Sequence, residues 1–127
     1  MRPLILLVDD DPVQSMTRKA ILATAGYRSL LAVGPQQALE LCKDPEVVDK
    51  IGLVITDHIM PDMNGPEFTA ELRRQFSTLP ILVLSGFSEI EHEYEGLNVL
   101  HKLKPLAPEE LIQAVRTITR DPLGKTA

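Results

Sequence analysis

The polar and apolar positions of this chain follow two rhythms. Short apolar runs occur at 4–8 (LILLV), 28–32 (RSLLA), 51–56 (IGLVIT) and 80–85 (PILVLS). Their length and continuity predict strands covered on both faces. A fifth run, 98–102, is less strand-like because it includes His101 and Lys102. Between the runs the period lengthens to that of a helix. Asp11 stands where it can cap a helix starting at Pro12, with Gln14 at the capping-box position. Val13, Met16, Thr17, Ala20 and Ile21 give that helix an apolar stripe, Thr24 extends it, and Gly26 ends it.

A second helix opens at Gly34-Pro35 with Ala38, Leu39, Leu41 and Cys42 inward, and stops near Asp44-Pro45. Residues 66–76 place Phe68, Leu72 and Phe76 four apart. SEIEHEYE at 88–95 predicts a short acidic helix with Ile90 and Tyr94 on one side. Pro108-Glu109-Glu110 opens the last helix, with Leu111, Ile112, Val115 and Ile118 inward, to about Arg120. The last residues, 121–127, are expected to form a flexible tail. Five strand-then-helix units with short connections predict one α/β domain over 1–120: a doubly wound parallel sheet with helices on both faces.

Composition narrows the function. At 127 residues the chain has one domain's length, and 44% hydrophobic residues supply a core. No apolar stretch reaches the ~18 residues that a membrane span requires, and no secretory signal precedes the first strand, so membrane insertion is not expected. Cys42 is the only cysteine, which excludes an internal disulfide and suits a reducing cytoplasmic setting, with Cys42 as a small core residue. A net charge of −5 disfavours direct nucleic-acid binding, which needs a basic surface.

The candidate chemistry lies at strand ends. Asp9, Asp10 and Asp11 follow the first strand, Asp57 ends the third, Ser85 ends the fourth, and Lys104-Pro105 follows the fifth. Open α/β sheets place their ligands at the carboxyl ends of strands, and in a doubly wound sheet the first and third strands can be neighbours. Converging carboxylates resist joint ionisation, and a hard divalent cation resolves the conflict. Mg²⁺ prefers a few carboxylates, waters and a phosphoryl oxygen. Lys104 offers a point charge and Ser85 a hydroxyl to a phosphoryl group. Asp57 would then be a phosphoryl-accepting nucleophile. Each signal has a plainer reading alone: an N-cap, a turn cap, a strand-end hydroxyl, a surface lysine. Their joint occurrence favours a site, with Asp11 kept as the cap.

These residues resemble those of the receiver domain of two-component response regulators. The matching pieces are LILLVDDDP at 4–12, TDHIMPDMNG at 56–65, PILVLSG at 80–86 and LKPLAPEEL at 103–111. The resemblance implies a flavodoxin-like (βα)5 three-layer sandwich with five helices around a five-stranded parallel sheet of order 2-1-3-4-5. It also implies that Asp57 is phosphorylated from a histidine kinase phosphohistidine. Asp10 would be the principal metal-binding acid, Asp9 its companion and the backbone carbonyl of Ile59 a further ligand, with Mg²⁺ or a substituting Mn²⁺. Ser85 would be the switch hydroxyl and Lys104 the lysine contacting the acyl phosphate. Such a domain catalyses its own Mg²⁺-dependent phosphorylation and dephosphorylation without being a conventional enzyme.

The chain departs from the family in several places. His101 stands where relatives carry Tyr or Phe, so altered coupling rather than lost phosphorylation is expected, the plainer reading being a partly exposed histidine on an edge strand. The segment from Ser85 to Lys104 is about three residues short, leaving about two helical turns at 3.6 residues each on the family's output surface. Ile59 and Phe87 flank the acceptor with apolar groups, from which slow autodephosphorylation is expected. His58, beside the acceptor, is read as pointing the other way. The LSGF segment and the Pro-Glu-Glu-Leu helix start resemble receivers attached to hybrid sensor kinases. Both a freestanding regulator acting on a downstream protein and a receiver attached to a kinase module fit, and composition gives no support to a weak homodimer. Two other classes compete: a haloacid-dehalogenase-type phosphatase, which would want an acid where Ile59 stands, and a phosphorylation-independent interaction module.

Overall fold

Five parallel strands form one sheet in the order β2-β1-β3-β4-β5. In this computed structural model, which describes residues 2–119, the strands are β1 (Leu4–Val8), β2 (Ser29–Ala32), β3 (Ile51–Asp57), β4 (Ile81–Ser85) and β5 (Leu100–Leu103). The helices are α1 (Pro12–Thr24), α2 (Pro35–Leu41), α3 (Pro45–Val48), α4 (Gly65–Gln75) and α5 (Pro108–Thr119). The strand order and the two-sided cover are those expected from the sequence. The expected tail, 121–127, lies outside the described residues.

Side-chain alternation along the strands divides the core in two. Ile5, Leu7, Leu53, Ile55, Leu82 and Leu84 pack with Leu22 of α1 and with Leu111, Ala114 and Val115 of α5. Leu6, Val8, Val54, Ile81 and Val83 pack on the opposite face with Ala38, Phe68 and Leu72. Cys42 is buried there, and burial pushes its thiol up, as suits a packing residue. No helix among the described residues is long and apolar enough to cross a membrane.

Four expectations need correction. The stripe predicted to face inward on α1 faces outward: Val13 is 72% and Met16 58% exposed, and Thr17, Ala20 and Thr24 are exposed as well. The inward face carries Ser15, Arg18 and Leu22, with only Ile21 shared between prediction and structure. Polar groups turn inward there because that end of α1 lies over a charged site. Second, α2 ends at Leu41, and Asp44 caps a separate turn, α3, by accepting from the Glu46 N–H. Third, the 88–95 helix is reduced to one 3-10 turn, Glu91–Tyr94. Glu89, before it, has a φ of 59°, outside helical space, and Gly96, after it, a φ of 82°. Ile90 and Tyr94 are nonetheless buried as expected. Fourth, α5 turns Ala114 inward rather than Ile112.

With so little cover between β4 and β5, the last strand is largely exposed, including Leu100 and Leu103. Arg73 secures this region from α4: its guanidinium donates to the carbonyls of Phe76, Leu79, Leu97 and Asn98. These bonds replace packing that a full helix would supply.

Candidate functional site

Strand register assembles the site. β1 and β3 pair Val8 with Thr56, and Asp9 and Asp57 are the residues that follow. β3 and β4 pair Asp57 with Leu84, and Ser85 follows. β4 and β5 pair Ser85 with Leu103, and Lys104 follows. The candidate positions therefore meet at the carboxyl edge of the sheet, two of them at the ends of β1 and β3.

Alternation then assigns faces. Asp57 continues the Leu53–Ile55 series and Asp9 the Ile5–Leu7 series, so both carboxylates lie on the α1 and α5 side. His58 continues the Val54–Thr56 series, and Ser85 the Ile81–Val83 series, on the other side.

Asp57 is 4% exposed, and Lys104 Nζ stands 2.9 Å from its Oδ1. That oxygen accepts no well-aligned hydrogen bond, so the lysine acts as a nearby charge rather than a fixed donor. The Lys104 N–H donates to the Ser85 carbonyl at 2.8 Å, which ties the lysine's backbone to β4, and the Lys104–Pro105 peptide is cis. One carboxylate oxygen from each of Asp9, Asp10 and Asp57 lies within 4.8 Å of the others. Asp9 and Asp57 are buried, and Asp10 is open to solvent. Crowding raises the Asp9 carboxyl to about 6: burial contributes most, followed by the shared hydrogen bond with Asp57 and the Asp57 charge, against the Asp11 N–H and Arg18. Three close carboxylates, of which Asp57 has an oxygen without an aligned partner, fit a small divalent cation approached from the Asp10 side.

The sequence reading missed Arg18. Its Nη1 donates to Asp9 Oδ2 at 2.7 Å and stands 3.6 Å from Asp57 Oδ1, while Nη2 donates to Gln14 Oε1 at 2.9 Å. The spacing of Ser15, Arg18 and Leu22 at three and four residues would have placed it inward, had the polar face of α1 been read as the buried one. Asp11 does cap α1, accepting from the Val13 and Gln14 N–H groups.

The comparisons with known proteins agree with this arrangement. Residues 5–116 match the response regulator receiver domain family. The chain belongs to that family. Among curated relatives it is 33% identical to the response regulator MprA of Mycolicibacterium vanbaalenii over 119 residues, covering 91% of this chain and 50% of that protein. It is equally 33% identical to the phosphate regulon transcriptional regulatory protein PhoB of Pseudomonas aeruginosa over 122 residues, covering 91% and 51%. The chain spans from 17% to about half of the first relatives' length. Among solved structures, the chemotaxis protein CheY4 of Vibrio cholerae superposes with a TM-score of 0.83 at 26% identity, covering 93% of this chain and 99% of that one. A response regulator receiver protein from Pseudomonas putida gives 0.81 at 29%, covering 92% and 98%.

Within this receiver domain the two expected switch positions lie on the His58 face. The Ser85 hydroxyl is buried and engaged with the backbone of Phe87, accepting its N–H at 2.8 Å and donating to its carbonyl at 3.1 Å. His101 is half-buried, its ring packs edge-on against Tyr94 with centroids 5.1 Å apart, and its Nδ1 is buried without a hydrogen-bond partner. His58 is buried and shares a 2.8 Å hydrogen bond with the Tyr94 hydroxyl, which bears out its reading as a residue turned from the acceptor. Gly65 is required here sterically. A Cβ at this position would collide with the Tyr94 hydroxyl and lie 2.9 Å from the His58 carbonyl oxygen.

Proposed function

We propose that this domain takes a phosphoryl group from the phosphohistidine of a histidine kinase onto Asp57 and so alters a protein-binding surface. The observation that carries the reading is the Lys104 ammonium 2.9 Å from a buried Asp57 oxygen inside a cluster of three carboxylates. An Asp57 carboxylate oxygen attacks phosphorus, the N–P bond to the donor imidazole breaks, and the imidazole leaves with the bonding pair. Lys104 follows the oxygen it already faces and balances charge on the phosphoryl group. Asp10, Asp57 and the Ile59 carbonyl, supported by Asp9, are the residues to hold Mg²⁺, which when bound supplies charge neutralisation for the transferring group. For Ser85 to reach a phosphoryl oxygen, its hydroxyl has to leave the Phe87 backbone, and His101 lines the small cavity beside it.

A docking place for the donor lies beside the acceptor. Val13, Thr17, Ile21, Pro105 and Leu106 line a groove between α1 and the β5–α5 connection, with Lys104 at its rim. Exposed apolar residues next to an acceptor suit a helix that must carry its phosphohistidine to Asp57. Ile59, at the place of the second acid of a haloacid-dehalogenase-type phosphatase, argues against that chemistry. The test is transfer from an isolated, phosphohistidine-bearing kinase. Label should move to this chain and not to its Asp57→Asn form; retention by every kinase tried, alongside an intact small-donor reaction, would remove the kinase from the proposal.

A further inference from the structure

We infer that Arg18 is a built-in competitor for the divalent cation, its guanidinium holding the acidic pocket until a metal takes its place at Asp9. The inference rests on the proposed metal site. Both oxygens of Asp9 are committed: Oδ1 accepts the Asp11 N–H at 2.8 Å and Oδ2 accepts Arg18 Nη1 at 2.7 Å. The same Nη1 stands 3.6 Å from Asp57 Oδ1, so one nitrogen lies between two of the three clustered carboxylates. Gln14, one turn earlier on α1, accepts from the other guanidinium nitrogen and aims the group. The Arg18 side chain is only 14% exposed, so this is a seated charge and not a passing surface contact.

A further positive charge cannot share this space at no cost. Three carboxylates already face two protein cations, Arg18 and Lys104, before any metal arrives. The guanidinium and the metal compete as cations for the same Asp9 oxygen, so the balance responds to the concentration of divalent cation. Lys104 differs in kind, because its flexible stem allows it to follow a phosphoryl group outward from Asp57. Arg18 is held at two points and has to release Asp9 as a unit. The apparent metal affinity of such a site is the intrinsic affinity reduced by the fraction of molecules in which the guanidinium has moved aside. Arg18 thereby sets a threshold of free cation below which Asp57 remains paired with protein charges.

The test is calorimetric titration of the unphosphorylated protein with Mg²⁺, comparing wild type with Arg18→Gln and Arg18→Lys. Circular dichroism and thermal unfolding check that both variants fold. Arg18→Gln should tighten Mg²⁺ binding about tenfold, equivalent to about 1.4 kcal/mol. Arg18→Lys, which keeps the charge but loses the two-pronged hold, should tighten it less. Equal or weaker binding in both variants, with wild type binding normally, would overturn the inference and leave the proposed function standing. Absence of Mg²⁺ binding in wild type and in both variants would overturn both.

Discussion

The Tyr94 hydroxyl meets His58 Nδ1 at 2.8 Å, one residue past the proposed acceptor on the opposite face of β3. The other ring nitrogen, Nε2, is 3.7 Å from Glu93 Oε1. Burial, with Glu93 alongside, pushes the Tyr94 phenol well above its usual range, so it keeps its proton and can donate to Nδ1. A single 3-10 turn thus supplies both partners of His58, and the ring of Tyr94 also rests against His101.

Removing this bond has a measurable cost. Tyr94→Phe should destabilise the domain by about 1–3 kcal/mol in urea unfolding, because it leaves a buried imidazole nitrogen unpaired. Gly65→Ala should cost more, since its Cβ collides with the same hydroxyl and with the His58 backbone. The two losses should be less than additive in the double variant, because Phe removes one of the two collisions. Strict additivity would contradict the packing described.

His101 predicts an acid-side loss of stability. Burial lowers its pKa first of all, with His58 adding to that effect and Glu91 opposing it. A folded value below the unfolded one near 6.5 means that the unfolded chain binds the proton more readily. Its contribution is complete above the unfolded value and is lost as the pH falls through the folded value. Between about pH 7.5 and about pH 5, wild type should lose more stability than His101→Phe, as read from paired unfolding curves. Parallel curves would remove His101 from the account.

Asp9 predicts the opposite sign. Its folded pKa, raised to about 6, exceeds the usual carboxylate value, so the fold favours the protonated acid. That contribution is present below the unfolded pKa and is lost as the pH rises through about 6. With divalent cations chelated, Asp9→Asn should gain stability relative to wild type as pH rises from about 4 to about 7, by at most about 3 kcal/mol. No relative gain would show that the Arg18 pair fully offsets the burial of Asp9.

Ile59 and Phe87 are 63% and 57% exposed, flanking the acceptor strand end and the Ser85 turn. Neither offers a hydrogen bond to a water attacking the acyl phosphate. Slow autodephosphorylation is expected, and Ile59→Asn or Phe87→Glu should hasten acyl-phosphate decay severalfold. Unchanged decay in both would count against this role.

The strands and the acidic positions were legible because they depend on local signals, namely continuous apolar runs, a proline after Asp11 and turn residues after Asp57, whereas the strand order came from the family resemblance. Helix faces were harder to read. Counting apolar residues on α1 selected Val13 and Met16, which lie outside, because the inner end of that helix serves a charged pocket and is itself polar. Arg18 was hidden by the same rule. The 88–95 segment has helix-forming glutamates, but the left-handed backbone at Glu89 and the few apolar anchors leave only one turn. The need for Gly65 could be read as a turn signal, whereas its cause, the distant Tyr94 hydroxyl, emerges only from tertiary packing.

The account stands on Asp57 as a metal-assisted phosphoryl acceptor, and intact-protein mass spectrometry after incubation with acetyl phosphate measures this directly. With Mg²⁺ the account predicts one phosphoryl adduct, lost on chelation and absent from Asp57→Asn. An adduct that forms equally without divalent cation, or that persists in Asp57→Asn, would contradict it.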